Sequence, residues 1–296
     1  MASILLNKAS MLPFGLTLAL LWVLKDLNML NSVAKVSHWA HSLCQDHVGI
    51  SSDWWPIYSA LFCGSSVYEQ KFFLTLKTLG IVHLFVLSGA HIVFMERLLM
   101  RVTSSRRQLF LSLFAMTLMT GFKAPAVRAL TAWCSNELNL RAELNWPRSL
   151  TAAITGLLCL GLNPHWWLGL SLPLSWVASL SFQIFPKSNL KSLATVYLLG
   201  LPLLSSLDVA NPFAIIINLI FSPIFFTLHF PISWLAGFVP ALQSLVDPLW
   251  SLSFWVLDLF KVPLSFELQP VLNSPESRWA YVFSIQGFCY FRERFS

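Results

Sequence analysis

The stretch His83-Leu84-Phe85-Val86-Leu87-Ser88-Gly89-Ala90-His91 lies in one of the most apolar regions of the chain, yet it carries two histidines and a Ser-Gly pair. An unbroken helix turns about 100° and rises about 1.5 Å per residue, so Ser88 and His91 would share a face while the two histidines stood roughly 12 Å apart along the axis. A straight helix therefore cannot aim both imidazoles at one point. Ser88-Gly89 is a natural break, and a broken or re-entrant helix would turn both rings and the nearby amides toward one cavity. The competing reading is that Ser88, Gly89 and Ala90 are small so that helices can approach closely, with the histidines bonded to neighbouring backbone. Ionisable groups inside a membrane segment are functional candidates by default.

The surrounding composition explains why a membrane segment is expected here. Of 296 residues, 56% are hydrophobic and 11% charged, and the mean hydropathy is +0.67. Soluble domains carry about 25% charged residues. Apolar runs of spanning length recur, and the alternation of a membrane barrel is missing, which predicts an all-α, polytopic integral membrane protein with broken or re-entrant helices. The net charge of +6 and pI of 9.2 would suggest nucleic acid for a soluble domain, whereas in a membrane protein they mark cytoplasmic loops. Cys44, Cys63, Cys134, Cys159 and Cys289 show no CxxC and no metal spacing, so their default reading is small apolar side chains. A Cys44–Cys63 disulfide would require that region to face outward.

The organisation expected is a first transmembrane segment in 1–30, a short extracytoplasmic or interfacial amphipathic region in 31–78, a multi-helix core in 79–262 and a tail in 263–296. The run 11–24 follows Lys8, and Ser32-Val33-Ala34 would pass as a signal cleavage site, but Lys25-Asp26 and the long stretch before that site favour a retained span. Val33, Val36, Trp39, Ala40 and Leu43 fall on one helical face opposite Lys35, His38, His41 and Ser42, the pattern of a helix lying in the interface. Residues 54–77 mix aromatics with Glu69, Lys71 and Lys77, an amphipathic lead-in. Core segments are expected at 79–100, 108–122, 125–138, 149–162, 166–185, 190–207, 212–228, 231–245 and 249–262. Several fall short of the roughly 20 residues of a full span.

Arg97, Arg101, Arg106 and Arg107 form a basic loop without an acid, and Lys187 with Lys191 forms another, so both read as cytoplasmic. Parity puts Arg141, Arg148, Lys187 and Lys191 on that same side only if 125–138 is a membrane passage, which embeds Arg128. In Gly121-Phe122-Lys123-Ala124-Pro125-Ala126-Val127-Arg128-Ala129-Leu130, Gly121 can stop one helix and Pro125 suits the first turn of the next. Arg128 then sits about a turn into a helix whose start favours anions, a combination that suits a phosphate. The alternative is an arginine that snorkels or pairs with Glu137 or Glu143. Asn163-Pro164-His165 reads as a tight hairpin before Trp166 and Trp167, and Asn218 sits near a kink at Pro223, where it could line a cavity or bond between helices. His38, His41 and His47 lack an acidic or cysteine partner at ligand spacing, so no metal is expected.

These residues resemble the membrane domain of ComEC-type competence proteins. His83-Leu84 followed by Ser88-Gly89 and His91 looks like the family's H-L-x-x-x-S-G-x-H signature; Thr120-Gly121, Pro125 and Arg128-Ala129 resemble its T-G-x-x-x-P-x-x-R-A segment. Asn163-Pro164 and Leu174-Ser175 resemble its D/N-P and F-Q-L-S-F-x-A block, and Asn218-Leu219 with Pro223 its N-L-x-x-x-P segment, in the family's order over about residues 61–240. Where the family has F-Q this chain has Leu172-Pro173, so the glutamine's role is absent or passes to Gln183. Residues 31–58 are too short for the OB-like domain of larger members, and no metallo-β-lactamase-like motif follows.

The resemblance implies a multi-pass channel in the bacterial cytoplasmic (inner) membrane that imports single-stranded DNA during natural transformation, with no cofactor and no enzymatic activity of its own. Its channel or DNA-contact residues would be His83, Ser88, Gly89, His91, Arg128 and Asn218. Its implied partners are single-stranded DNA, the lipid bilayer, a cytoplasmic motor, an extracytoplasmic DNA receptor or nuclease, and separate polypeptides supplying the missing domains. No P-loop is present to supply energy. The rival classes are an intramembrane serine hydrolase built on Ser88 and a histidine, although Val86 replaces the first glycine of a GxSG-type motif, and a membrane subunit of another importer or an inactive remnant.

Overall fold

Helix is the only regular secondary structure among the residues that the computed structural model describes, which are 29–48, 52–65, 72–86, 88–185, 189–205, 213–260 and 271–295. In chain order the helices are α1 (Met29–Val48), α2 (Trp55–Cys63), α3 (Phe73–Thr78), α4 (Val82–Phe85), α5 (Gly89–Leu99), α6 (Arg106–Met119) and α7 (Ala124–Arg141). There follow α8 (Arg148–Leu162), α9 (Ser171–Ile184), α10 (Asn189–Leu204), α11 (Ala214–Ile224), α12 (Phe230–Phe238), α13 (Gln243–Leu259) and α14 (Pro275–Phe295). Prolines stand in the first turns of α2 and α7, where the missing N–H costs nothing. The expected first span at 11–24 lies outside the described residues, as do Glu69, Lys71 and Lys187.

Three expectations about the elements change. Segments 212–228 and 231–245 are not separated at Pro231: α11 and α12 are joined by a π turn over Phe225–His229 into one run, Ala214–Phe238. Phe230 N–H donates to the Phe225 carbonyl, an i→i+5 bond placed just before Pro231, whose nitrogen has no hydrogen to give. The chain breaks instead after Phe238, at a 3-10 turn over Pro240–Leu242. Residues 263–296, read as a tail, contain the 21-residue α14, which packs along α8 and α9. Cys44 and Cys63, read by default as apolar side chains, form a disulfide that ties α1 to α2.

Two cores organise the helices. One gathers α1 to α6 and α11 to α13, around Ile57, Leu61, Phe85, Phe225 and Trp250. The other gathers α8, α9, α10 and α14, around Trp176, Val177 and Trp279. Helix α7 belongs to both, giving Ala126 and Leu130 to the first and Ala124 and Val127 to the second. Val36, Trp39 and Leu43 of α1 are exposed while Ser37 and Cys44 face inward, so the apolar face predicted for this helix points away from the bundle.

The bundle has two distinct ends. At one, the disulfide and Gly64 meet the α6–α7 turn: Lys123 donates to the Gly64 carbonyl, Ser37 to the Leu118 carbonyl at 3.0 Å, and a Cβ on Gly64, whose φ is 70°, would lie 2.9 Å from Thr120 Cβ. At the other, Glu137 bridges Arg106 (3.1 Å) and Arg141 (3.6 Å). Glu293 of α14 also binds there, accepting from Arg148 N, Ser149 N and Ser149 Oγ at the start of α8 (2.9, 3.0 and 2.5 Å).

Candidate functional site

The region that opens the sequence does break. Helix α4 ends at Phe85, Val86 and Ser88 are extended (φ, ψ −97°, 123° and −118°, 171°), and α5 starts at Gly89. His91 then folds back across the gap. Its Nε2 meets the Leu84 carbonyl at 3.1 Å, which requires the ring hydrogen there, so Nδ1 is left as an acceptor for the Ser88 N–H and hydroxyl, both at 3.0 Å. The last turn of α4 and the first of α5 are thus stapled by one imidazole. His91 is 0% exposed and is packed by Phe225, Phe226 and Phe230, with ring centres 5.9, 5.3 and 4.6 Å away. The π turn belongs to the element that supplies these rings.

His83 lies on the near side of the break. Its side chain is exposed, and it hydrogen-bonds the Gly80 backbone. Asn218 reaches the same carbonyl: Nδ2 donates to Gly80 at 3.3 Å and to Ala214 at 2.7 Å. Gly80 has φ 69°, and a Cβ on it would meet Ala214 Cβ at 2.6 Å, so glycine is needed twice over. Gly89 is different. Its φ is ordinary and a Cβ there would meet only Ala129 Cβ, at 3.5 Å, an ordinary contact. Close helix packing therefore does not account for Gly89.

That contact also carries the site to α7, because Ala129 follows Arg128. Arg128 is 7% exposed. Its Nε donates to Ser175 Oγ at 3.0 Å and its Nη2 to the Ser175 carbonyl at 2.8 Å. Glu137, one of the acids weighed as its partner, is held by Arg106 and Arg141 instead, and among the described residues no carboxylate pairs with Arg128. Nor does it snorkel, since its fork is fixed inside the bundle against α9.

The structure thus collects His83, Ser88, Gly89, His91 and Asn218 around one helix break, and sets Arg128 beyond the α5–α7 contact. Sequence reasoning missed Gly80, the phenylalanine cage and the role of Ser175; only Ser175 had a signal, in the Leu174-Ser175 pair. Among the described residues no three His, Cys, Asp or Glu side chains gather as metal ligands.

A bundle that interrupts a helix and gathers polar groups at the break defines a class, a helical protein with an internal polar site. The competence protein family matches residues 61–292, and the chain belongs to that family. Membership ties it to competence and DNA uptake, and the match runs through α14, beyond the motifs first seen over 61–240. Nothing among curated proteins or solved structures matches the chain.

Proposed function

We propose that this chain is a multi-pass channel of the bacterial inner membrane that admits single-stranded DNA during natural transformation. Arg128 carries the reading: a buried cation with no acid partner among the described residues, next to a helix break lined with polar groups, suits a passing phosphate. His83 and Ser88 would line the constriction, while His91, Gly89 and Asn218 shape it.

The membrane setting has its own support. Ala214–Phe238 is long and apolar enough to cross a bilayer, and only 22% of its most apolar window is buried, unlike the core helix of a soluble protein. Leu111, Leu198, Ile220, Leu245, Trp255 and Phe288, on five different helices, are exposed large apolar side chains, as a lipid-facing surface requires. Two arguments orient it alike. The end with Arg106, Arg107, Arg141 and Arg148 faces the cytoplasm by the positive-inside rule, and the disulfide end faces the oxidising side. A cytoplasmic motor and an outer receptor or nuclease would act with the channel, which carries no energy-coupling motif.

Deletion of the gene, with external binding and internal accumulation of labelled DNA scored separately, tests this. Normal binding with no internal strand is expected; undiminished internal strand would overturn it. The Ser88 Oγ to His91 Nδ1 distance of 3.0 Å favours a second reading, the serine hydrolase. Against it, the Nδ1 lone pair already accepts the Ser88 N–H. Labelling of Ser88 by a fluorophosphonate would support the hydrolase, and uptake surviving in Ser88→Ala would support the channel.

A further inference from the structure

We infer that Ser175 is the positioning residue of the phosphate contact: it clamps two of the three nitrogens of the Arg128 guanidinium and turns the third toward the strand. The inference rests on the channel reading and deepens it. Among the described residues Ser175 alone holds the Arg128 head group, accepting from Nε through its hydroxyl at 3.0 Å and from Nη2 through its carbonyl at 2.8 Å. Both bonds fall on one residue of α9, across from α7, so they fix the plane of the guanidinium as well as its position. Nη1 takes no acceptor among the described residues.

A carboxylate in the place of Ser175 would neutralise the arginine and compete with an incoming anion. A hydroxyl and a carbonyl orient the fork without cancelling its charge, so the pair keeps a cation available in an apolar interior. Thr131 on the next turn of α7 donates to the Arg128 carbonyl and does not hold the head group. Arrangement of the charge therefore depends on a neutral partner in the other core, and the Leu174-Ser175 pair has a physical role.

The test uses the full chain in lipid nanodiscs, with fluorescein-labelled oligo(dT) as the probe and its Kd measured across a salt series. Wild type should bind, and Arg128→Gln should weaken binding and reduce the slope of log K against log salt by about 0.7, the loss of one phosphate contact on a single strand. Ser175→Ala keeps the carbonyl bond and loses the hydroxyl bond, so it should weaken binding about tenfold, and Ser175→Thr should restore most of it. The double variant Arg128→Gln/Ser175→Ala should bind no worse than Arg128→Gln alone, because Ser175 acts only through the arginine. Weakening by Arg128→Gln with no effect of Ser175→Ala, or additive effects in the double variant, would overturn the role of Ser175 and leave the channel reading standing. Absence of binding by wild type, or wild-type binding by Arg128→Gln, would instead reject the phosphate contact, and the positioning role with it.

Discussion

Two histidines that look equivalent in the sequence have different work. His91 is fully buried with both ring nitrogens engaged, and its removal leaves the Ser88 N–H and the Leu84 carbonyl without partners beside a hole in an aromatic cage. Each orphaned backbone group costs about 1–3 kcal/mol. His91→Ala should therefore lower the thermal midpoint of the purified protein and its abundance in the membrane fraction. His83→Ala should leave both close to wild type and reduce DNA uptake, since its ring is exposed at the break and bridges nothing. Equal thermal midpoints for the two variants would show that His91 does not staple the helices.

At the scale of elements, the close approach of α8 and α9 depends on one position. A Cβ on Gly156 would lie 2.1–2.4 Å from three atoms of the Trp176 ring, and Trp176 is itself pinned, donating to Gln286 Oε1 of α14 at 3.0 Å. The indole cannot move without breaking that bond, and Gln286 in turn donates to the Ser149 carbonyl at 2.9 Å. Gly156→Ala should destabilise the protein by about 1–3 kcal/mol, the usual cost of overpacking a filled core. Equilibrium unfolding in detergent measures it, and an unchanged midpoint would mean that the helices separate more freely than this packing allows. Sequence periodicity finds α8 and α9 but not this register, which depends on a tryptophan twenty residues away in the chain and a glutamine in what reads as a tail.

For the whole molecule the central matter is which end faces which compartment. Cysteine placed at Ser104, in the basic turn between α5 and α6, should react with a membrane-impermeant maleimide only in inverted vesicles, and cysteine at His165 only in intact cells. The reverse pattern would invert the orientation. The 19-residue separation of Cys44 and Cys63 gives a chain-entropy contribution of about 3 kcal/mol, so Cys44→Ser should lower stability by that order, and reduction should do the same to wild type. The C-terminal helix reaches both ends of the bundle: Arg278 and Trp279 bond the carbonyls of Leu168 and Trp167 at the turn after α8, while Arg292 bonds the Ile184 carbonyl at the basic end.

The sequence by itself determined the helical class, the start of α7 near Pro125, the break near Ser88-Gly89 and the family. These follow from local composition, from proline and glycine chemistry, and from motifs whose residues are close in the chain. Only the tertiary structure decided which histidine is structural, that the proline in Phe230-Pro231 rides inside a continuous helix, that Cys44 and Cys63 are joined, and that Arg128 answers to Ser175 rather than to Glu137. Each of these depends on partners tens of residues apart, or on a backbone widening that hydrophobic period does not encode. A side chain's role here is set by which groups are left for it to bond once the helices have packed, and that remainder exists only in three dimensions.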